Sequence, residues 1–157
     1  MNLSDTSTEM LLSSIHDGLY ITDTDRNIIY WNRAAELITG YTADEVIGRT
    51  CSDNILIHVD EEGCNLCVGA CPLEGTLHDA VPRDVDIYLH HKSGYRIPVN
   101  VRTSAVTDAA GNIISAIELF TDISSREATR LRIQELERAA KLDHLTRLAN
   151  SRYAELE

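Results

Sequence analysis

Hydrophobic and polar positions alternate with a period of two in several stretches, and these stretches outline a sheet. In Gly18 to Asp23, Leu19 and Ile21 alternate with Tyr20 and Thr22, as in a half-buried strand. Asp23 to Asn27 supplies turn chemistry, and Ile28 to Trp31 reads as the second strand of a hairpin. The pattern then turns helical. Asn32 can cap a helix with Ala34, Ala35, Leu37 and Ile38 on one side and Gly40 as its stop. Thr42 with Glu45 three residues later forms a capping box for a short helix ending at Gly48. Glu9 to Ile15 can form another short helix. The stretch from Arg49 to Pro72 has no clear period, which in a compact domain marks a segment that is functional or pinned.

After a brief helix over Leu73 to Ala80, three more strands are expected at Val85 to His90, Arg96 to Val106 and Ile113 to Thr121. Turns at Lys92-Ser93-Gly94 and at Asp108 to Asn112 join them. Two strands, small helices and then three strands define an α+β fold, a five-stranded antiparallel sheet with short helices on one face. From Ser124 onward Arg, Glu, Leu and Ala dominate. Arg126, Thr129, Ile133, Leu136 and Ala140 fall at alternating spacings of three and four, the seam of a short coiled coil that would pair with a copy of itself or dock on the sheet. The seam is thin, because Leu131 and Leu142 lie off it.

Composition changes this picture mainly by exclusion. The 157 residues fit one domain of ordinary size, and their 43% hydrophobic content excludes global disorder. With 14 Lys and Arg against 25 Asp and Glu, the net charge of −11 argues against nucleic acid or an anionic membrane as partner. No signal peptide and no apolar run of membrane-spanning length is seen, so a cytoplasmic, unanchored protein is expected. No Ser/His/Asp or Cys/His nucleophile signature and no phosphate-cradling glycine loop is visible.

The run GLYITDTDRNIIYWNRAAELITGYTADEVIGRT, the run HHKSGYRIPVNVRTSAVTDAAGNIISAIELFTDIS, Asn32 after the second strand and the Asp122-Ile123-Ser124 exit resemble a PAS domain over residues 10–123. The resemblance implies a sensory module that passes a change in a ligand, redox state or cofactor along its exit helix, and a homodimer through that helix and the PAS domain. It also implies an Asp122–Arg126 ion pair that fixes the helix; a plain helix cap at Asp122 is the competing reading. The final residues, with Asp143, Leu145, Thr146, Leu148, Asn150 and Arg152, resemble the opening of a GGDEF domain. That resemblance implies a diguanylate cyclase-type output domain in cis, making cyclic di-GMP. The GGDEF signature is absent here, so the chain itself is not expected to be an enzyme. The implied organisation is a flexible tail at 1–9, the PAS domain at 10–123, a signalling helix at 124–142 and the start of a GGDEF domain at 143–157.

All four cysteines fall in the aperiodic segment, as Cys51-x12-Cys64-x2-Cys67-x3-Cys71-Pro72, with His58 among them. A C-x2-C pair can turn two thiolates toward one cation, and four thiolates, or three with an imidazole, complete a tetrahedral shell. Zinc would take Cys51, Cys67 and Cys71 with His58 or Cys64; an iron–sulfur cluster would use all four thiolates. Redox-active thiols without metal and inert packing are the alternatives; with packed cysteines the module would be a non-sensing dimerisation and relay domain, or one that binds a small metabolite. IGRTCSDN also resembles the flavin-binding LOV branch of the family, in which Cys51 would be the photochemical thiol. Ser52-Asp53-Asn54-Ile55 lacks the Arg and Gln that such a site needs, so flavin is not expected. His90 and His91 close a strand, one on each side of the sheet, and one can point into a pocket. Packing or a dimer contact is expected of Tyr30 and Trp31.

Overall fold

The computed structural model describes residues 7, 8, 10, 11, 15–51, 53 and 55–155, with 150–155 given by backbone alone. Strands β1 (Gly18–Thr22) and β2 (Ile28–Trp31) form the hairpin. Helices α1 (Arg33–Thr39) and α2 (Ala43–Val46), a 3-10 turn at Leu66–Val68 and helix α3 (Pro72–Asp79) follow. Strands β3 (Arg83–His90), β4 (Arg96–Thr107) and β5 (Ile113–Asp122) complete one antiparallel sheet in the order β2-β1-β5-β4-β3, and α4 runs from Ser124 to Glu155. Met10 and Leu11 of the expected N-terminal helix are helical and Ile15 is not; Glu9 and residues 12–14 lie outside the described residues. Of the tail expected at 1–9, Ser7 and Thr8 are helical and the rest lies outside them too.

Local chemistry accounts for the helix boundaries. Asn32 Oδ1 accepts from the Ala35 amide at 2.8 Å and from the Leu19 amide at 3.0 Å, while its Nδ2 donates to the Asp17 carbonyl, so one buried side chain caps α1 and ties it to β1. Gly40 ends α1 at φ 80°, a left-handed position that suits glycine. The Thr42–Glu45 capping box is formed, although α2 stops at Val46, two residues before Gly48. Trp31 is buried and its Nε1 donates to the Tyr41 carbonyl at 3.0 Å.

Between sheet and helices the core is built on Tyr20, Trp31 and Phe120, whose ring centroids lie 5.6 to 6.3 Å apart. Gly18 pairs with Phe120, and a Cβ there would stand 2.2 Å from the ring, so only glycine fits. β1 is buried more widely than a half-buried strand's alternation suggests: Leu19 is buried as expected, but Tyr20 and Thr22 of the other face are buried as well. Tyr20 and Thr22 are wholly buried, whereas Ile21 is only half-buried. An apolar residue on the outer face still covers sheet surface, and on the inner face Tyr20 stands opposite Glu118 of β5.

The chain divides into two compact units at Ile123/Ser124. The second is the single helix α4, in which no helix end marks the expected boundary between residues 142 and 143. Leu131, Ile133, Leu136, Leu142, Leu145 and Leu148 of this helix are exposed.

Candidate functional site

The aperiodic segment folds as an extra layer along the sheet's outer strand. Val59 exchanges both backbone hydrogen bonds with Tyr88 of β3 at 2.9 Å, and the His90 amide donates to the Leu56 carbonyl at 2.7 Å, which covers an edge that would otherwise be open. Ile57 stands at φ 39°, a left-handed conformation costly for a β-branched residue, and its carbonyl accepts from Arg96 Nη1 at 2.6 Å. The next residue, His58, is 2% exposed. Asp60 then forms a turn whose carboxylate accepts from the Glu62 and Cys64 amides, Asn65 Oδ1 accepts from the Cys67 amide, and Cys71 takes the N-cap of α3.

A polar row crosses the buried face of the sheet. Glu118 of β5 stands opposite Tyr20 of β1 on one side and Thr103 of β4 on the other, and opposed residues share a face. Thr103 and Thr76 of α3 share a hydrogen bond of 2.6 Å. Glu118 is 0% exposed, and its Oε1 lies 3.5 Å from His58 Nε2. No well-formed hydrogen bond ends on Tyr20 Oη, His58 Nε2, Thr22 Oγ1 or either Glu118 oxygen, although Tyr20 Oη is near enough to ease the carboxyl's ionisation. Unpartnered buried polar atoms cost about 1–3 kcal/mol each. Burial pushes the Glu118 carboxyl up to about 8 and the His58 imidazole down to about 4, the latter helped by the charge of Arg96. Both groups are therefore neutral at pH 7.

Around this row stand three thiols. Cys51 and Cys71 are buried, Cys67 is half-buried, and each lies close enough to Glu118 for the carboxylate to raise its pKa. Burial is the larger cause throughout and carries Cys51 up to about 12. The His58 backbone N–H approaches Cys67 Sγ, and the Leu73 and Glu74 N–H groups approach Cys71 Sγ; both contacts favour the thiolate without offsetting burial. Arg26, held at φ 67° in the hairpin turn, sets its guanidinium against Cys71 and, at 3.5 Å, against Glu74.

This arrangement corrects two expectations. The four cysteines do not form one cluster: Cys64 is exposed, because the Asp60 turn faces it outward. Nor do the side chains stand as an assembled zinc or iron–sulfur site, since among the described residues no three His, Cys, Asp or Glu groups are placed to hold a metal ion. The histidine pair also separates. His90 shares the strand face of Asp84, Asp86 and Tyr88, opposite the buried Ile87 and Leu89. His91 stacks on Tyr95 with centroids 4.3 Å apart and packs where a Cβ at Gly40 would fall. Asp122 ends β5, and Arg126 lies in the first turn of α4.

Glu118, Tyr20, Thr103 and Thr76 carry no motif and are found only through the fold. A signal did exist for Glu118. It shares its strand phase with Ala116 and Phe120, so a charged residue stands on the face that carries the aromatic core.

A buried polar site beneath an antiparallel sheet, with β5 leading directly into a long helix, is the architecture of a sensory α+β domain. The chain belongs to the PAS domain family, whose model matches residues 16–125. It is 27% identical to the signal transduction histidine-protein kinase AtoS of Escherichia coli (strain K12) over 144 residues, 89% of this chain and 22% of that protein. It is 27% identical to a blue-light-activated histidine kinase of Brucella ovis over 135 residues, 80% of this chain and 26% of that one. The chain thus spans about a quarter of the length of these relatives. Among solved structures, an RNA-binding Light-Oxygen-Voltage receptor superposes with a TM-score of 0.66 at 23% identity, covering 85% of this chain and 36% of that one. A PAS domain from Colwellia psychrerythraea gives 0.63 at 17%, covering 76% and 97%. At these identities the superpositions show the fold. Among the described residues no helix is long and apolar enough to cross a membrane.

Proposed function

We propose that this chain is the sensing part of a larger signalling protein, that its input is the redox or metal state of Cys51, Cys67 and Cys71, and that β5 and α4 carry the response to an output domain. One observation supports this reading above others: the three thiols and His58 gather at Glu118, a residue of the same strand that leads into α4. A change in charge or bonding at the cluster acts on β5 and, four residues beyond Glu118, on Asp122. Pairing of Asp122 with Arg126 would fix the angle of the helix. The exposed leucines of α4 support a homodimer through that helix. The motif from Asp143 to Arg152 favours a diguanylate cyclase as the output domain, whereas the relatives above are kinases.

The test is metal analysis and absorption of protein purified without oxygen, followed by hydrogen exchange in the reduced, oxidised and chelator-stripped states. Exchange over 113–131 should change between states. Metal-free protein whose exchange there is the same reduced and oxidised would refute the reading.

A further inference from the structure

Helix α4 runs unbroken from Ser124 to Glu155, yet its apolar residues do not keep to one side. At 3.6 residues per turn, Ile133, Leu136 and Ala140 lie within about 60° of one another, and Leu131, Leu142 and Leu145 form a second stripe about 180° away. A single partner helix can cover one of these stripes and not both. The first is the seam of a heptad in which Arg126, Ile133 and Ala140 take the a positions and Thr129 and Leu136 the d positions. Continued past Ala140, the same seam meets Asp143 and Arg147, so its apolar part ends there. Ile133 and Leu136 are 51% and 59% exposed within one chain.

The charges beside the seam select its occupant and the direction in which that occupant runs. Resting on the homodimer reading above, we infer that two copies of α4 pair in parallel and in register over residues 129–140, with Arg132 of each helix against Glu137 of the other. Arg132 takes a g position and Glu137 the e position five residues on, and these two are neighbours across a parallel pair. A β-branched residue at a with leucine at d, as Ile133 and Leu136 are, favours two parallel strands. Inside one chain Glu127 holds Arg130 and Asp143 holds Arg147, and Arg132 and Glu137 belong to neither pair. An antiparallel arrangement would instead set Glu137 against Arg130, which its own helix already neutralises, and would leave Arg132 beside Ala139. In the parallel pair both charges are matched twice, once on each side of the seam. Leu142 and Leu145 face away from it.

The test is sedimentation of the full chain over a range of concentrations at low salt, with circular dichroism confirming that each variant keeps its helix. Arg132→Glu and Glu137→Arg each place like charges across the pair, and each should weaken self-association by about tenfold. The double variant, Arg132→Glu with Glu137→Arg, should restore it. Leu142→Asp with Leu145→Asp, on the opposite stripe, should leave it unchanged. If Arg132→Glu associates as the parent does, or if Arg130→Glu rescues Glu137→Arg where Arg132→Glu fails to, the parallel register is overturned while the homodimer stands. Loss of association in the Leu142 and Leu145 variant overturns the seam in favour of the second stripe. A parent chain that stays monomeric at every concentration overturns this pairing and the homodimer reading together.

Discussion

Replacing Glu118 by Gln keeps the shape of a wholly buried side chain and removes its ionisation, and the consequence for stability is calculable. In the unfolded chain the carboxyl ionises around 4.5; in the folded, metal-free domain burial holds it protonated up to about 8. Between these values the folded state binds a proton that the unfolded state has released, so stability falls as pH rises, by about 1.4 kcal/mol per pH unit. From pH 4.5 to pH 7 the loss is about 3 kcal/mol, and it levels off above pH 8. His58 acts in the opposite sense. Its ordinary value of 6.5 is lowered to about 4, so the unfolded state gains a proton first and stability falls as pH drops through that window. The parent domain should therefore be most stable at about pH 5–6. Glu118→Gln should match it near pH 4 and exceed it by about 3 kcal/mol at pH 7. Urea denaturation of metal-free, reduced protein, followed by fluorescence of its single tryptophan, Trp31, measures the difference directly. A difference that stays constant from pH 4 to pH 8 would refute the reasoning, because it would mean that the carboxyl is solvated and ionises normally in the folded state.

Other perturbations follow from the packing. Asn32→Ala strips the caps from the Leu19 and Ala35 amides inside the core and should cost about 2–3 kcal/mol in the same assay. Gly18→Ala forces a Cβ into the Phe120 ring and should cost about 1–3 kcal/mol; a neutral result would mean that the ring can move aside. Ile133→Asp with Leu136→Asp, at exposed positions of α4, should leave thermal unfolding of the sheet domain unchanged and convert a dimer to a monomer in sedimentation. A double variant that remains a dimer would place the contact elsewhere.

Features set by short-range chemistry were legible in the sequence. The turn at Asp23 to Asn27, the Asn32 cap, the Gly40 stop and the Thr42–Glu45 box each depend on residues within a few positions, and all occur where the sequence places them. The five strands and the pairings of neighbours joined by short turns, β1 with β2, β3 with β4 and β4 with β5, were legible too, because such turns leave little choice of partner; the β1–β5 pairing, between the first and last strands, was not. The site was legible only in part. The cysteine spacing marked the segment but grouped Cys64 with the rest, because spacing says nothing about which way a turn faces. Tyr20 and Glu118 were invisible as a pair, being 98 positions apart in the chain and joined only by the register of β1 on β5.

By itself, then, the amino-acid sequence determined the elements, the fold class and the segment that holds the unusual chemistry, since periodicity and capping act over a turn or two of backbone. The tertiary structure decided which face of β1 is the inner one, which three thiols turn inward and that a carboxyl and an imidazole meet in the core. Those outcomes depend on strand register and burial, and both arise from contacts between residues that the linear order keeps far apart.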